Sequence, residues 1–109
     1  MSKIIFVYIV CKNKAEAKKI GSSLVKERLA ACVNIFDKMY SVYWWKGRME
    51  HTSETVLIAK TTKQLFDRLS KKVKSIHSYS MPCIVRLDIA AGDRNYFKWL
   101  AGSVKQPLH

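Results

Sequence analysis

The sequence predicts an α+β fold: a ferredoxin-like split βαβ sandwich, strand, helix, strand, strand, helix, strand, with one more helix at the C-terminal end. Three observations lead to it. Short apolar runs alternate with stretches of helical period along the chain. Turn signals at Lys46-Gly47, Pro82 and Gly92-Asp93 separate them. The length of 109 residues fits one domain over 1–109 with a single core.

Ile4 to Cys11 is rich in β-branched and aromatic residues and apolar on both alternating sets, as expected of a central strand covered on both faces. Asn13-Lys14-Ala15-Glu16 has capping-box spacing with Asn at the cap, and Ala17, Ile20, Leu24 and Val25 follow at helical spacing, so a helix runs to about Leu29. A second strand covers 31–36 and extends more loosely toward Trp45, Lys46-Gly47 turns the chain, and a third strand covers 54–60. Thr61-Thr62-Lys63-Gln64 offers another cap, and Leu65, Leu69, Val73 and Ile76 form the buried stripe of a second helix ending near His77. Pro82 stops it. The fourth strand, 83–89, alternates Val85, Leu87 and Ile89 against Ile84, Arg86 and Asp88. Gly92-Asp93 caps a short helix carrying Tyr96, Phe97, Trp99 and Leu100, and the chain is expected to fray beyond Ser103.

Both main helices of this architecture cover one sheet face. The apolar first strand and the aromatics Tyr40, Tyr43, Trp44 and Trp45 would leave too much apolar surface on a monomer, so the sequence predicts a homo-oligomer with sheet faces buried together. The apolar run 4–11 is far shorter than the ~20 residues of a membrane span, and Met1-Ser2-Lys3 is not followed by a cleavage pattern. Cys11, Cys32 and Cys83 are an odd number without metal-finger spacing, so free thiols and a cytoplasmic setting are expected.

Twenty Lys and Arg against eight Asp and Glu give +12. Much of the excess lies on the expected helix faces, at Lys14, Lys18, Lys19, Lys26, Lys63, Lys71, Lys72 and Lys74. A solvated surface accounts for it, with non-specific polyanion binding as the alternative. A base-stacking module of the same strand order would use Phe6 and Tyr8, but residues 54–60 lack the Gly-aromatic run of such modules. No Gly-rich phosphate loop, nucleophile elbow or paired-carboxylate signature supports an enzyme.

The fold places the end of the first strand beside the start of the fourth, which makes Cys11 and Cys83 neighbours, with His77 at the end of the second helix and Met81 in the connecting loop. Two thiols and an imidazole suit copper or zinc better than magnesium or calcium. The competing readings are plain: Cys32 as core, Cys11 as core or ligand, His77 as a partner of its helix dipole, Met81 as a loop residue, and His51 and His109 as exposed.

Glu-Arg-Leu-Ala-Ala-Cys-Val-Asn-Ile at 27–35, Tyr43-Trp44-Trp45-Lys46-Gly47, Lys60-Thr61, the stretch His77 to Pro82, and Tyr96-Phe97-Lys98-Trp99 together resemble the CutA divalent-cation tolerance proteins along nearly the whole chain. The resemblance implies an intertwined homotrimer in which the long hairpin reaches neighbouring subunits, and a non-enzymatic role in tolerance or homeostasis of divalent metals, especially copper. It implies copper binding at Cys11 and His77, in a stretch where Tyr79 and Pro82 also match. Ser78 stands in place of a proline and Cys83 in place of an acidic residue, so Cys83 would be a softer ligand. It also implies an interface pocket of Cys32, Trp45, Glu54, Lys60, Tyr79 and Tyr96, with a hydrogen-bonded subunit contact as the alternative role of the same residues. A PII-like trimeric protein that binds small ligands between subunits is the other reading of the same plan.

Overall fold

In the computed structural model, which describes residues 3–106, β1 (Ile4–Cys11) is an inner strand of a four-stranded sheet. It pairs antiparallel with β3 (Arg48–Thr62) on one side and β4 (Ile84–Asp88) on the other, and β2 (Cys32–Trp45) completes the order β2-β3-β1-β4. This is the split βαβ arrangement that the sequence predicts. Ile5, Val7, Ile9 and Cys11 are buried toward the helices with Leu57 and Ala59, while Phe6, Tyr8 and Val10 have the opposite parity and are half-buried.

The helices α1 (Lys14–Lys26) and α2 (Phe66–Ile76) close the core through Ala17, Ile20 and Leu24 on the first and Leu69 and Val73 on the second. Asn13 caps α1 as expected, its side chain accepting the Glu16 N–H at 2.9 Å. The helix stops at Lys26, short of the expected Leu29. Arg28 adopts φ 57, its N–H returns to the Val25 carbonyl, and the Leu29 N–H returns to Leu24. That is a Schellman ending, with buried Leu29 and Leu24 as its apolar pair.

β3 begins at Arg48, six residues before the expected start, because the polar run 48–53 continues the ladder opposite β2. Lys46 and Gly47, at φ 51 and 78, form the two-residue turn between these strands. A bulge between Phe36 and Met39 places Lys38 at φ 61, and the Asp37 carboxylate accepts from the Thr55 hydroxyl and the Lys38 N–H, which hold its pKa down. The expected threonine cap of α2 is absent: a 3-10 turn, Lys63–Leu65, precedes the helix, and neither Thr62 nor Leu65 makes a side-chain cap.

β4 is shorter than expected, although Cys83 and Ile89 extend its pairing through backbone bonds to Val10 and Ile4. Asp93 caps α3 (Arg94–Gly102) by accepting from the Tyr96 N–H at 2.9 Å. The chain does not fray at Ser103. Val104 is buried in the core, and the Lys105 N–H donates to the Arg28 carbonyl at 2.8 Å. His109 lies outside the described residues.

The sheet face opposite the helices carries Phe36, Val85 and Leu87, all exposed, and the β2-β3 hairpin carries Tyr40 and Trp44, the last 74 % exposed. One apolar face is therefore uncovered in a single subunit.

Candidate functional site

The C-terminal end of β1, the first turn of α1 and the residue that ends α2 meet at one point. Cys11, Glu16 and His77 each place a donor atom there, all within 4.8 Å of one another. Cys11 and the His77 side chain are fully buried, and Glu16 is nearly so.

Glu16 is in the site because of the cap. As the third residue after Asn13 its side chain turns back toward the preceding loop, where Oε1 accepts the Lys12 N–H at 2.9 Å. Its other oxygen accepts the Ser78 N–H at 2.9 Å. Burial pushes this carboxyl up, but the Lys12 N–H and the hydroxyl and N–H of Ser78 outweigh it, and the net pKa is lowered.

His77 leaves α2 with extended backbone, and its Nε2 lies 2.8 Å from the Val10 carbonyl while the Tyr79 N–H points at Nδ1 from 3.0 Å. A carbonyl only accepts and an amide N–H only donates, so the two partners select the neutral tautomer with its proton on Nε2. Nδ1, 3.9 Å from Glu16 Oε1, carries the lone pair. Burial, then the negative charges of Glu16 and Glu54, push the Cys11 thiol up to about 12. At rest the joint is a thiol, a carboxylate and a neutral imidazole, with the polar atoms of the latter two satisfied by backbone.

Cys83 is exposed and lies outside this group. Its backbone is fixed to β1 by the Val10 N–H at 3.2 Å. Alternation explains the separation: Cys83 shares the parity of Val85 and Leu87, whereas Cys11 shares that of Val7 and Ile9. Burial, then Glu54, raise its pKa as well. Met81 is exposed in the same loop. The adjacency of the strand ends is legible in the sequence; the place of Glu16 in the group is not drawn from it, although the capping-box spacing carries the signal.

The six expected pocket residues fall in three places within the subunit. Glu54 is buried and accepts from the Tyr79 hydroxyl at 2.8 Å, next to the Cys11 joint, and burial followed by this bond raises the Tyr79 pKa. Lys60 lies six residues, roughly 20 Å, along β3. Its ammonium donates to the Tyr96 hydroxyl at 3.3 Å and sits over the rings of Phe6 and Tyr96. Cys32 pairs opposite Lys60 and is only half-buried, so the expected core role of Cys32 is not found in the subunit. Trp45 is at the hairpin tip beneath the Lys46 ammonium. His51 is exposed as expected, and its Nδ1 is 2.7 Å from the Tyr40 hydroxyl.

The family model of the CutA1 divalent ion tolerance protein matches residues 5–103. The chain belongs to the CutA1 family. It is 44% identical over 94 residues to the divalent-cation tolerance protein CutA of Thermus thermophilus, covering 86% of this chain and 91% of that protein. It is 40% identical over 102 residues to the chloroplastic CutA 1 of Oryza sativa, covering 94% of this chain. The chain spans 58% of that rice protein and 56% of the chloroplastic CutA of Arabidopsis thaliana. The crystal structure of rice CutA1 superimposes with a TM-score of 0.95 at 39% identity, covering 97% of each chain. The solved structure of the Thermus protein gives 0.91 at 40% identity, covering 94% of this chain and 99% of that one.

The donors at the CutA1 joint fit a borderline cation in kind, since thiolate, imidazole and carboxylate are all zinc or copper ligands. In spacing they are somewhat wide. Tetrahedral ligands of a zinc-sized ion lie about 3.5 Å apart, so the three must draw in by roughly 1 Å to share one ion.

Proposed function

We propose that this CutA1-family chain is a homotrimeric, non-enzymatic binding protein for divalent cations, copper above all, acting in metal tolerance or homeostasis. The observation that carries the reading is the convergence of Cys11, Glu16 and His77 donors within 4.8 Å at a buried joint. Cys11 and His77 are the first two ligands, as expected from the sequence. Glu16 adds a third, whereas Cys83, expected from the sequence as a ligand, is exposed on the opposite parity and stands outside the group.

Binding at this joint is coupled to protons and to the loop. The Cys11 thiol must lose its proton, and His77 Nδ1 must give up the Tyr79 N–H before its lone pair can reach a metal. The exchange makes uptake reversible and ties occupancy to the conformation of residues 77–83.

The trimer is supported by the uncovered apolar face and the aromatic hairpin. In such an assembly Trp45 of one subunit, Glu54 with Tyr79, and Lys60 with Tyr96 and Cys32 form a pocket between subunits. Three free thiols fit a reducing cytoplasm, and no helix among the described residues is long and apolar enough to cross a membrane. The lysines of the helix layer hold polyanions only through charge. Titration of Cu(I) and Zn(II) into wild type, Cys11→Ser, His77→Ala and Cys83→Ser tests the site: the first two substitutions are expected to weaken binding at least tenfold and Cys83→Ser to change it less than twofold, and unchanged affinity in Cys11→Ser and His77→Ala removes it.

A further inference from the structure

At the other end of β1, about 23 Å from Cys11 at the ~3.3 Å rise of a strand, Lys3, Lys63 and Arg86 line an open cavity of about 570 Å³ together with Phe66 and one carboxylate, Asp67. A second cavity of about 500 Å³ shares Lys3 and Lys63 and continues between Ile5, Ile89 and Phe97, with the carboxylate of Asp88, the partner of Arg86, on its wall. A cationic chamber thus adjoins a largely apolar one, and the two lysines stand at their common boundary.

The lysines are held there by the backbone. The Lys63 N–H donates to the Lys3 carbonyl at 3.0 Å, which fixes the two residues side by side, and neither is ion-paired among the described residues. Arg86 is oriented too: Nε is 2.8 Å from Asp88, and the guanidinium covers the Phe66 ring at 5.7 Å. On the apolar side, Gly92 lets the Phe97 ring lie against the main chain, where a Cβ would come within 2.3 Å of the ring.

Lys3 and Lys63 are two exposed cations on one boundary, and Lys63 stands in the first turn of the 3-10 and α2 unit, where the dipole favours an acid. An anion between the lysines would meet both positive charges and the favourable end of that dipole. The apolar residues beside them suit an anion that carries a flat or apolar body, and each cavity by itself is in the range of small-ligand sites.

We propose that these joined cavities bind a phosphate ester of the nucleoside monophosphate class, its phosphate between Lys3 and Lys63 and its ring against Phe97 and Ile89. The site is complete within one subunit, lies on the end of the sheet away from the metal joint, and does not rest on the metal reading.

Calorimetric titration with adenosine monophosphate, adenosine and inorganic phosphate tests it. The monophosphate is expected to bind at least tenfold tighter than either of the others. The double substitution Lys3→Ala with Lys63→Ala should weaken it at least tenfold, while Lys18→Ala with Lys19→Ala, which removes the same charge from exposed positions of α1, should change it less than twofold. Equal losses in the two double variants, a monophosphate no tighter than inorganic phosphate, or no binding at all would overturn the proposal.

Discussion

Glu16 Oε2 accepts the backbone N–H of Ser78 at 2.9 Å, across 62 positions of sequence. Through this bond the first turn of α1 holds the segment that follows α2, and the same carboxylate holds the Lys12 N–H on its other oxygen. A residue whose spacing marks it as a helix cap is also the latch of the candidate site.

Removing that latch has a defined cost. Glu16→Ala leaves two N–H groups without their acceptor at a nearly buried position and is expected to lower stability by about 1–3 kcal/mol at pH 7, read from chemical denaturation. The lowered carboxyl pKa also sets a pH dependence. Its stabilisation is present above the carboxyl's unfolded pKa and is lost as pH falls through the lower folded value. Wild type should therefore lose stability more steeply than Glu16→Ala on the acid side of that range, and parallel acid profiles would contradict the latch.

Metal uptake should depend on pH, where a preformed thiolate site would not. With the Cys11 thiol pushed up to about 12, one proton leaves for each ion bound near neutrality. Apparent affinity should rise about tenfold per pH unit, measured by competition with a chromophoric chelator between pH 6.5 and 8. A flat profile would mean that the Cys11 thiolate is not the ligand.

The uncovered sheet face predicts how the assembly fails. Phe36→Asp places a charge among exposed apolar residues of the open face, and light scattering at micromolar concentration should show loss of the trimer while circular dichroism keeps the secondary structure. A wild-type monomer mass would remove the oligomer altogether.

At the hairpin tip, Gly47 has φ 78, and no atom lies within 4 Å of the position a side-chain methyl would take. The penalty of Gly47→Ala is therefore conformational alone, expected at about 1 kcal/mol as a lowered midpoint in chemical denaturation.

Local chemistry makes much of this legible in the sequence. The Asn13 cap, the Lys46-Gly47 turn and the alternation of Val85 and Leu87 each act over a few residues, and each forms as read. What escapes depends on partners distant in sequence. The polar run 48–53 becomes a strand because β2 lies opposite it, and Val104 is held by a core that its own neighbours do not announce. Arg28 ends α1 in a conformation usually given to glycine, so no composition signal marks the stop. At the site, strand adjacency puts Cys11 near Cys83, but parity turns them apart while the cap brings in Glu16.

The most direct measurement is anomalous diffraction at the copper and zinc edges from crystals soaked with each ion. A peak about 2.0–2.3 Å from Cys11 Sγ and His77 Nδ1, accompanied by release of the Tyr79 N–H, is the predicted result. Full occupancy elsewhere, with Nδ1 still bonded to Tyr79 and no peak at Cys11, would contradict the account.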